Sequence, residues 1–168
     1  TDPKIYEDGI TIGRVSIIRP SENILSTHYN TLSKLNCILA SIEANKHKYD
    51  EGIMNDPHGN ISTCNSTNLF FVKESQVWTS TGEFCLNGIT RSKAIQVCNM
   101  NEIPCKEKNF TFEDIKDCEE AFVTGTFAGI IPVSKIEKFV LSSTNSNSLV
   151  NKIRASYNRY INKEITSQ

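Results

Sequence analysis

The chain has 168 residues, 38% apolar and 22% charged, with a formal net charge of −1; a chain of this size buries about 70% of its unfolded surface as one compact domain. Its basic residues are scattered, with no stripe, which argues against a nucleic-acid or acidic-membrane partner. Apolar runs stay far below the roughly 18 residues of a membrane span, and Thr1-Asp2-Pro3-Lys4 is no secretory leader, so the expectation is a soluble intracellular protein, cytoplasmic or organellar.

β-branched residues alternate around Gly13 and Arg14 over residues 10–18 and stop at Arg19-Pro20, which predicts a strand. The period then changes. Leu32, Leu35, Ile38, Leu39 and Ile42 follow the i, i+3, i+4 rule with Glu43, Lys46 and Lys48 on other faces, predicting an amphipathic helix over about residues 31–48. Runs at 52–55, 61–64, 68–72 and 76–79, divided by turns such as Pro57-His58-Gly59-Asn60 and Lys73-Glu74-Ser75, read as an antiparallel meander. Thr90 is read as the cap of a helix with Ala94, Ile95, Val97 and Cys98 inside, and Pro104 prevents its continuation. Thr111-Phe112-Glu113-Asp114 has the form of a capping box, residues 120–124 and 130–133 are extended, and 142–148 form a Ser/Asn loop. A closing helix carries Leu149, Ile153, Tyr157, Tyr160 and Ile161 on one side. The class is mixed α+β, with a largely antiparallel sheet flanked by helices.

Two stretches are suited to an anion. Leu86-Asn87-Gly88-Ile89-Thr90-Arg91 runs into a helix, and Thr124-Gly125-Thr126 follows a strand. A helix start offers unpaired N–H groups and the positive end of the dipole, so a phosphorylated ligand is the expectation. Taken singly, Thr90 also reads as a plain cap and Gly125 as a plain turn. The six cysteines and three histidines show no zinc spacing, so no metal is expected and the thiols are read as reduced and mostly buried. Trp78 is assigned to the core and Phe127 to a pocket rim, and Arg91 is read as a structural anchor for the loop.

In order and spacing, the stretches 35–44, 50–53, 68–70, 88–91, 124–126 and Pro132-Val133 resemble the fold-type IV pyridoxal-phosphate enzymes, or class IV aminotransferases: branched-chain aminotransferases, D-amino-acid aminotransferases and aminodeoxychorismate lyase. The resemblance implies a pseudo-barrel large domain over residues 31–168, residues 1–30 being a lead-in strand and interdomain segment, with no counterpart of the family's small N-terminal domain. It further implies that Ile89, Thr90, Gly125 and Thr126 form the cup for the cofactor phosphate, and that the protein is a homo- or hetero-oligomer.

The same resemblance exposes two departures. The family's Schiff-base lysine falls on Asn30, and the glutamate that pairs with the pyridine nitrogen falls on Thr63. An amide nitrogen has a delocalised lone pair and cannot attack an aldehyde; a neutral hydroxyl cannot hold a buried pyridinium as a carboxylate does. The expectation is a non-catalytic structural or regulatory homologue, with pyridoxal 5'-phosphate bound non-covalently or not at all. The alternative is an active aminotransferase or lyase acting on an amino acid or 2-oxo acid, in which Lys34, four residues after Asn30 and on the same face if both are helical, replaces the missing amine.

Overall fold

A computed structural model describes residues 2–166. Along the chain they form α1 (Ile5–Asp8), β1 (Ile10–Arg14), α2 (Leu35–Lys46), β2 (Glu51–Asn55), β3 (Ile61–Cys64), β4 (Asn68–Lys73), β5 (Gln76–Thr79), α3 (Ile89–Met100), β6 (Cys105–Glu107), α4 (Phe112–Ile115), β7 (Glu120–Gly125), β8 (Gly129–Ile136), β9 (Phe139–Val140) and α5 (Leu149–Thr166). The strands make one curled nine-stranded sheet in the order β3-β2-β1-β8-β7-β4-β5-β6, with β9 on β8. β1 is parallel to both β2 and β8, β5 is parallel to β6, and the remaining pairs are antiparallel.

Alternation along β4 and β7 sends side chains to two cores. Leu69, Phe71, Ala121 and Val123 join Ile12, Ile53 and Val133 on one face; Phe70, Val72 and Phe122 join Ala94, Val97, Val150 and Ile153, from α3 and α5, on the other. Phe70 and Phe122 are direct cross-strand partners with rings stacked at 4.6 Å, each buried phenylalanine contributing roughly 1.5–3 kcal/mol. The β2–β3 hairpin turns on Asp56, whose Oδ1 accepts the His58 and Asn60 N–H groups, each at 2.8 Å. The capping box at Thr111 forms as its sequence implies: Asp114 Oδ2 accepts the Thr111 N–H at 2.7 Å and its hydroxyl at 2.8 Å. Among the described residues no helix is long and apolar enough to cross a membrane.

Several expectations are corrected. The first strand ends at Arg14; beyond it, Val15 N–H to Ile53 O (3.2 Å) and Arg19 N–H to Asn55 O (2.8 Å) hold the chain beside β2 without a ladder. α2 begins at Leu35 and not near 31, because Thr31 Oγ1 accepts the Ser33 N–H at 3.3 Å, a local turn that competes with helix. Asn30 and Lys34 therefore share no helical face. The apolar stripe of α2 points outward, with Leu35 68% exposed and Ile38, Leu39 and Ile42 also exposed, while Ala40 and Ala44 are buried. Helix and sheet approach so closely that a Cβ on Gly52 would lie 3.2 Å from Ala40 O, and only small residues fit that contact. The four middle runs are two hairpins, not a meander: β7 occupies the edge of β4 that β3 would have needed. Gly88, not Thr90, is the N-cap of α3.

Candidate functional site

A cavity of about 140 Å³ opens between the irregular segment preceding α2 and the β3–β4 connection, and Asn30, Lys34, Thr63, Asn68 and Leu86 all line it. Thr27 is the buried residue that pins the segment, its hydroxyl donating to Glu83 O at 3.3 Å. Asn30 and Lys34 are exposed. Thr63 lies in β3, buried, with its hydroxyl donating to Thr67 O at 2.7 Å. Arg19 crosses the cavity wall, donating from Nε to Phe84 O at 3.0 Å and from Nη1 to Cys37 Sγ at 2.9 Å.

Behind that wall stands Glu51, an acid of the 50–53 stretch whose burial no pattern in the sequence marks. It accepts hydrogen bonds from the hydroxyls of Ser66 and Thr67, the latter at 2.8 Å. Burial pushes its carboxyl up, and the hydrogen bonds from Ser66 and Thr67 oppose that shift. Burial also pushes the neighbouring Cys64 thiol well up, with the Glu51 charge adding to it.

The second half of the site is the start of α3. Gly88 adopts φ −61°, ψ 143°, and the first backbone bond closing onto it is Ser92 N–H to Gly88 O at 3.0 Å, so the N–H groups of Ile89, Thr90 and Arg91 precede the helical ladder. Asn68 fixes the approach: its Nδ2 donates to Leu86 O at 2.9 Å, and a Cβ on Gly88 would lie 2.6 Å from its Oδ1. Thr90 is buried and the Ile89 side chain is exposed. Thr124, paired in register with Asn68, is 2% exposed, and its hydroxyl has no hydrogen-bond partner among the described residues. Gly125 ends β7, where a Cβ would meet Thr67 Cγ2 at 3.4 Å, and exposed Thr126 begins the β7–β8 turn.

The expected residues thus fall in two groups. Asn30, Lys34 and Thr63 share the cavity; Ile89, Thr90, Gly125 and Thr126 do not line it, and Thr67 and Asn68 stand between the groups. Phe127 is 98% exposed in the turn and forms no rim; Trp78 is partly buried against the first core, as assigned. Arg91 anchors the loop before α3 as read from the sequence, donating from Nη2 to Ser80 O at 2.7 Å, and it also ties α3 to β6 through Glu107 at 2.6 Å. The described residues hold no cluster of three or more metal-ligating groups, and His28 is spent on Glu22 at 3.1 Å.

The family model for amino-transferase class IV matches residues 2–136. Branched-chain-amino-acid aminotransferase-like protein 2 of Arabidopsis thaliana is 31% identical over 94% of this chain and 28% of its own length. The structure of a branched-chain aminotransferase from Thermoproteus uzoniensis with norvaline superposes with a TM-score of 0.84 at 30% identity, over 91% of this chain and 51% of that one. An aminotransferase from Brucella abortus bound to the cofactor PLP shares the fold with a TM-score of 0.87 at 23% identity, over 94% of this chain and 56% of that one. This chain therefore spans between about a quarter and just over half of these relatives. Sequence match and fold agree that the chain belongs to the class IV aminotransferases, on the fold-type IV architecture.

Proposed function

We propose that this protein is a class IV aminotransferase homologue that holds a phosphorylated ligand of the pyridoxal 5'-phosphate type at the start of α3 but does not carry out transamination, serving a structural or regulatory role in an oligomer. The observation that carries the phosphate half is the Thr124 hydroxyl, buried without a partner beside a helix N-terminus whose first N–H groups are free of the ladder. A buried hydroxyl left unpaired costs about 1–3 kcal/mol, and an anion there would relieve it. Residues Ile89, Thr90, Gly125 and Thr126 complete the cup in this reading.

The residues do not fit the ring end of the cofactor. Asn30 offers an exposed amide where the family carries its lysine. Thr63 has spent its donor on Thr67 O and carries no charge to hold a protonated pyridine. No step of amino transfer is available through these groups. The soluble intracellular setting, and the division into a lead-in over residues 1–30 and a large domain over 31–168, belong to the same proposal.

One observation favours a second reading: Lys34 lines the same cavity as Asn30 and Thr63, which would let an amine reach a bound aldehyde. Calorimetric titration with pyridoxal 5'-phosphate and with dephosphorylated pyridoxal, followed by an assay of amino-group exchange between amino acids and 2-oxo acids, separates the two. The proposal expects phosphate-dependent binding and no turnover; turnover abolished in Lys34→Ala would replace it with the second reading.

A further inference from the structure

The β7–β8 turn, which carries Thr126, has little of its own to hold it. Gly125 and Gly129 are paired in register, leaving Thr126, Phe127 and Ala128 as the loop, and its backbone closure, Ala128 N–H to Gly125 O, is long at 3.4 Å. Thr126 and Phe127 are exposed, and Ala128 is partly buried against the first core. A loop held this loosely moves unless a side chain from elsewhere fixes it.

Three side chains from α1 and α5 supply that hold. Tyr6, in α1, donates its hydroxyl to Ala128 O at 2.8 Å, and its ring packs against the same core as Ala128. Arg154, in α5, donates from Nη1 to Tyr6 O at 2.8 Å and sets its guanidinium 5.4 Å from the centre of the Tyr6 ring. Tyr157 stands three residues further along α5, on the same side of the helix, and packs on Gly129 so closely that a Cβ there would lie 3.1 Å from its Cε1. Gly129 is itself in the left-handed region, at φ 66°, where glycine takes the backbone conformation without strain and leaves room for the ring. Tyr6, Ala128, Gly129, Tyr157 and Arg154 thus form a closed circuit of contacts around one edge of the turn.

We propose that Tyr6 is a positioning residue for the phosphate cup: its hydroxyl fixes the Ala128 end of the β7–β8 turn and so holds Thr126, two residues before, in the place from which it completes the cup. The inference rests on the reading of Thr126 as part of that cup. Arg154 acts one step further out, by fixing Tyr6. Loss of the Tyr6 hydroxyl loosens Thr126 and leaves the α3 half of the cup, fixed by the Asn68 bond to Leu86 O, as it is. The consequence is specific to the phosphate, because the turn carries a hydroxyl for the anion and lies outside the cavity that Asn30, Lys34 and Thr63 share.

Tyr6→Phe tests this, since it removes the hydroxyl and keeps the ring beside Arg154. Parent and variant are titrated with pyridoxal 5'-phosphate and with dephosphorylated pyridoxal, and amide hydrogen exchange of the ligand-free proteins is followed by mass in peptides spanning residues 125–129. The proposal expects the variant to bind pyridoxal 5'-phosphate about two- to tenfold more weakly, to bind pyridoxal as the parent does, and to exchange faster in the turn while the bodies of β7 and β8 exchange unchanged. Ser142→Ala is the control: it deletes a comparable bond before the opposite end of β7, Ser142 Oγ to Glu119 O at 3.0 Å, and should move neither readout. Turn exchange equal to the parent's, unchanged affinity for pyridoxal 5'-phosphate, equal weakening of both ligands, or the same loosening in Ser142→Ala overturns the proposal. A parent without phosphate-dependent binding overturns the cup reading and the ligand half of this proposal with it, and the exchange comparison still decides whether Tyr6 holds the turn.

Discussion

Gly88 and Asn68 meet at the start of α3 so closely that a single added methyl would lie 2.6 Å from the Asn68 carboxamide oxygen. Asn68 cannot swing aside without giving up its 2.9 Å bond to Leu86 O. Gly88→Ala is therefore an overpacking substitution and should destabilise the fold by about 1–3 kcal/mol. It should also weaken binding of pyridoxal 5'-phosphate, because the N–H groups of Ile89 and Thr90 shift with the turn. Thermal melts and titration of the same sample check both effects.

Thr124 gives an opposite pair of signs. Its buried hydroxyl has no partner among the described residues, so Thr124→Val removes an unpaid polar group and should leave the ligand-free protein as stable or more stable by about 1 kcal/mol. The same change should reduce affinity for pyridoxal 5'-phosphate several-fold while leaving dephosphorylated pyridoxal unaffected. Differential scanning fluorimetry with and without each ligand reads the two effects separately.

Glu51 makes stability depend on pH. Burial raises its carboxyl above the ordinary 4.5, so the folded chain holds that proton more tightly than the unfolded chain does. The resulting stabilisation is present at pH below the unfolded value and is lost as pH rises through the raised folded value. Gln cannot ionise. The melting temperature of Glu51→Gln relative to the parent should therefore climb by on the order of a few degrees between acidic and neutral pH; a difference that is flat across that range would contradict the assignment.

The local features were legible in the sequence and the non-local ones were not. The Thr111–Asp114 capping box and the helix closing on Ile153 and Tyr157 depend on residues within a turn or two of each other, and both form as the pattern implies. The stripe Leu35, Ile38, Leu39 and Ile42 has an unambiguous helical period, yet period alone does not say which side meets the sheet. The close approach of Gly52 to the α2 backbone at Ala40 marks that side, where Ala40 is buried; Ala44, one turn on, is buried as well. β6 is three residues long and pairs in parallel with β5, too short to carry an alternation. Of the site, a helix start in the Gly88-Ile89-Thr90 stretch was readable from its glycine and threonine, though the cap falls on Gly88, two residues before the threonine that the pattern favours. Glu51 was not, because its burial comes from the position of β2 between β1 and β3.

If the amide at Asn30 is what separates this chain from a working enzyme's chemistry, an amine restored there should react. Asn30→Lys faces the cavity from an exposed segment, where a new lysine costs little packing. Incubation with pyridoxal 5'-phosphate and borohydride should place a stable adduct on the introduced lysine, with turnover still limited by the uncharged Thr63. Peptide mass mapping of the reduced variant checks the position.

The central claim is tested most directly by the same reduction on the parent protein: the intact chain is saturated with pyridoxal 5'-phosphate, treated with borohydride and mapped by mass. The account predicts ligand that binds through its phosphate yet leaves on denaturation, with no lysine carrying a stoichiometric adduct. A stoichiometric adduct on Lys34, accompanied by a visible absorption band before reduction, would contradict it.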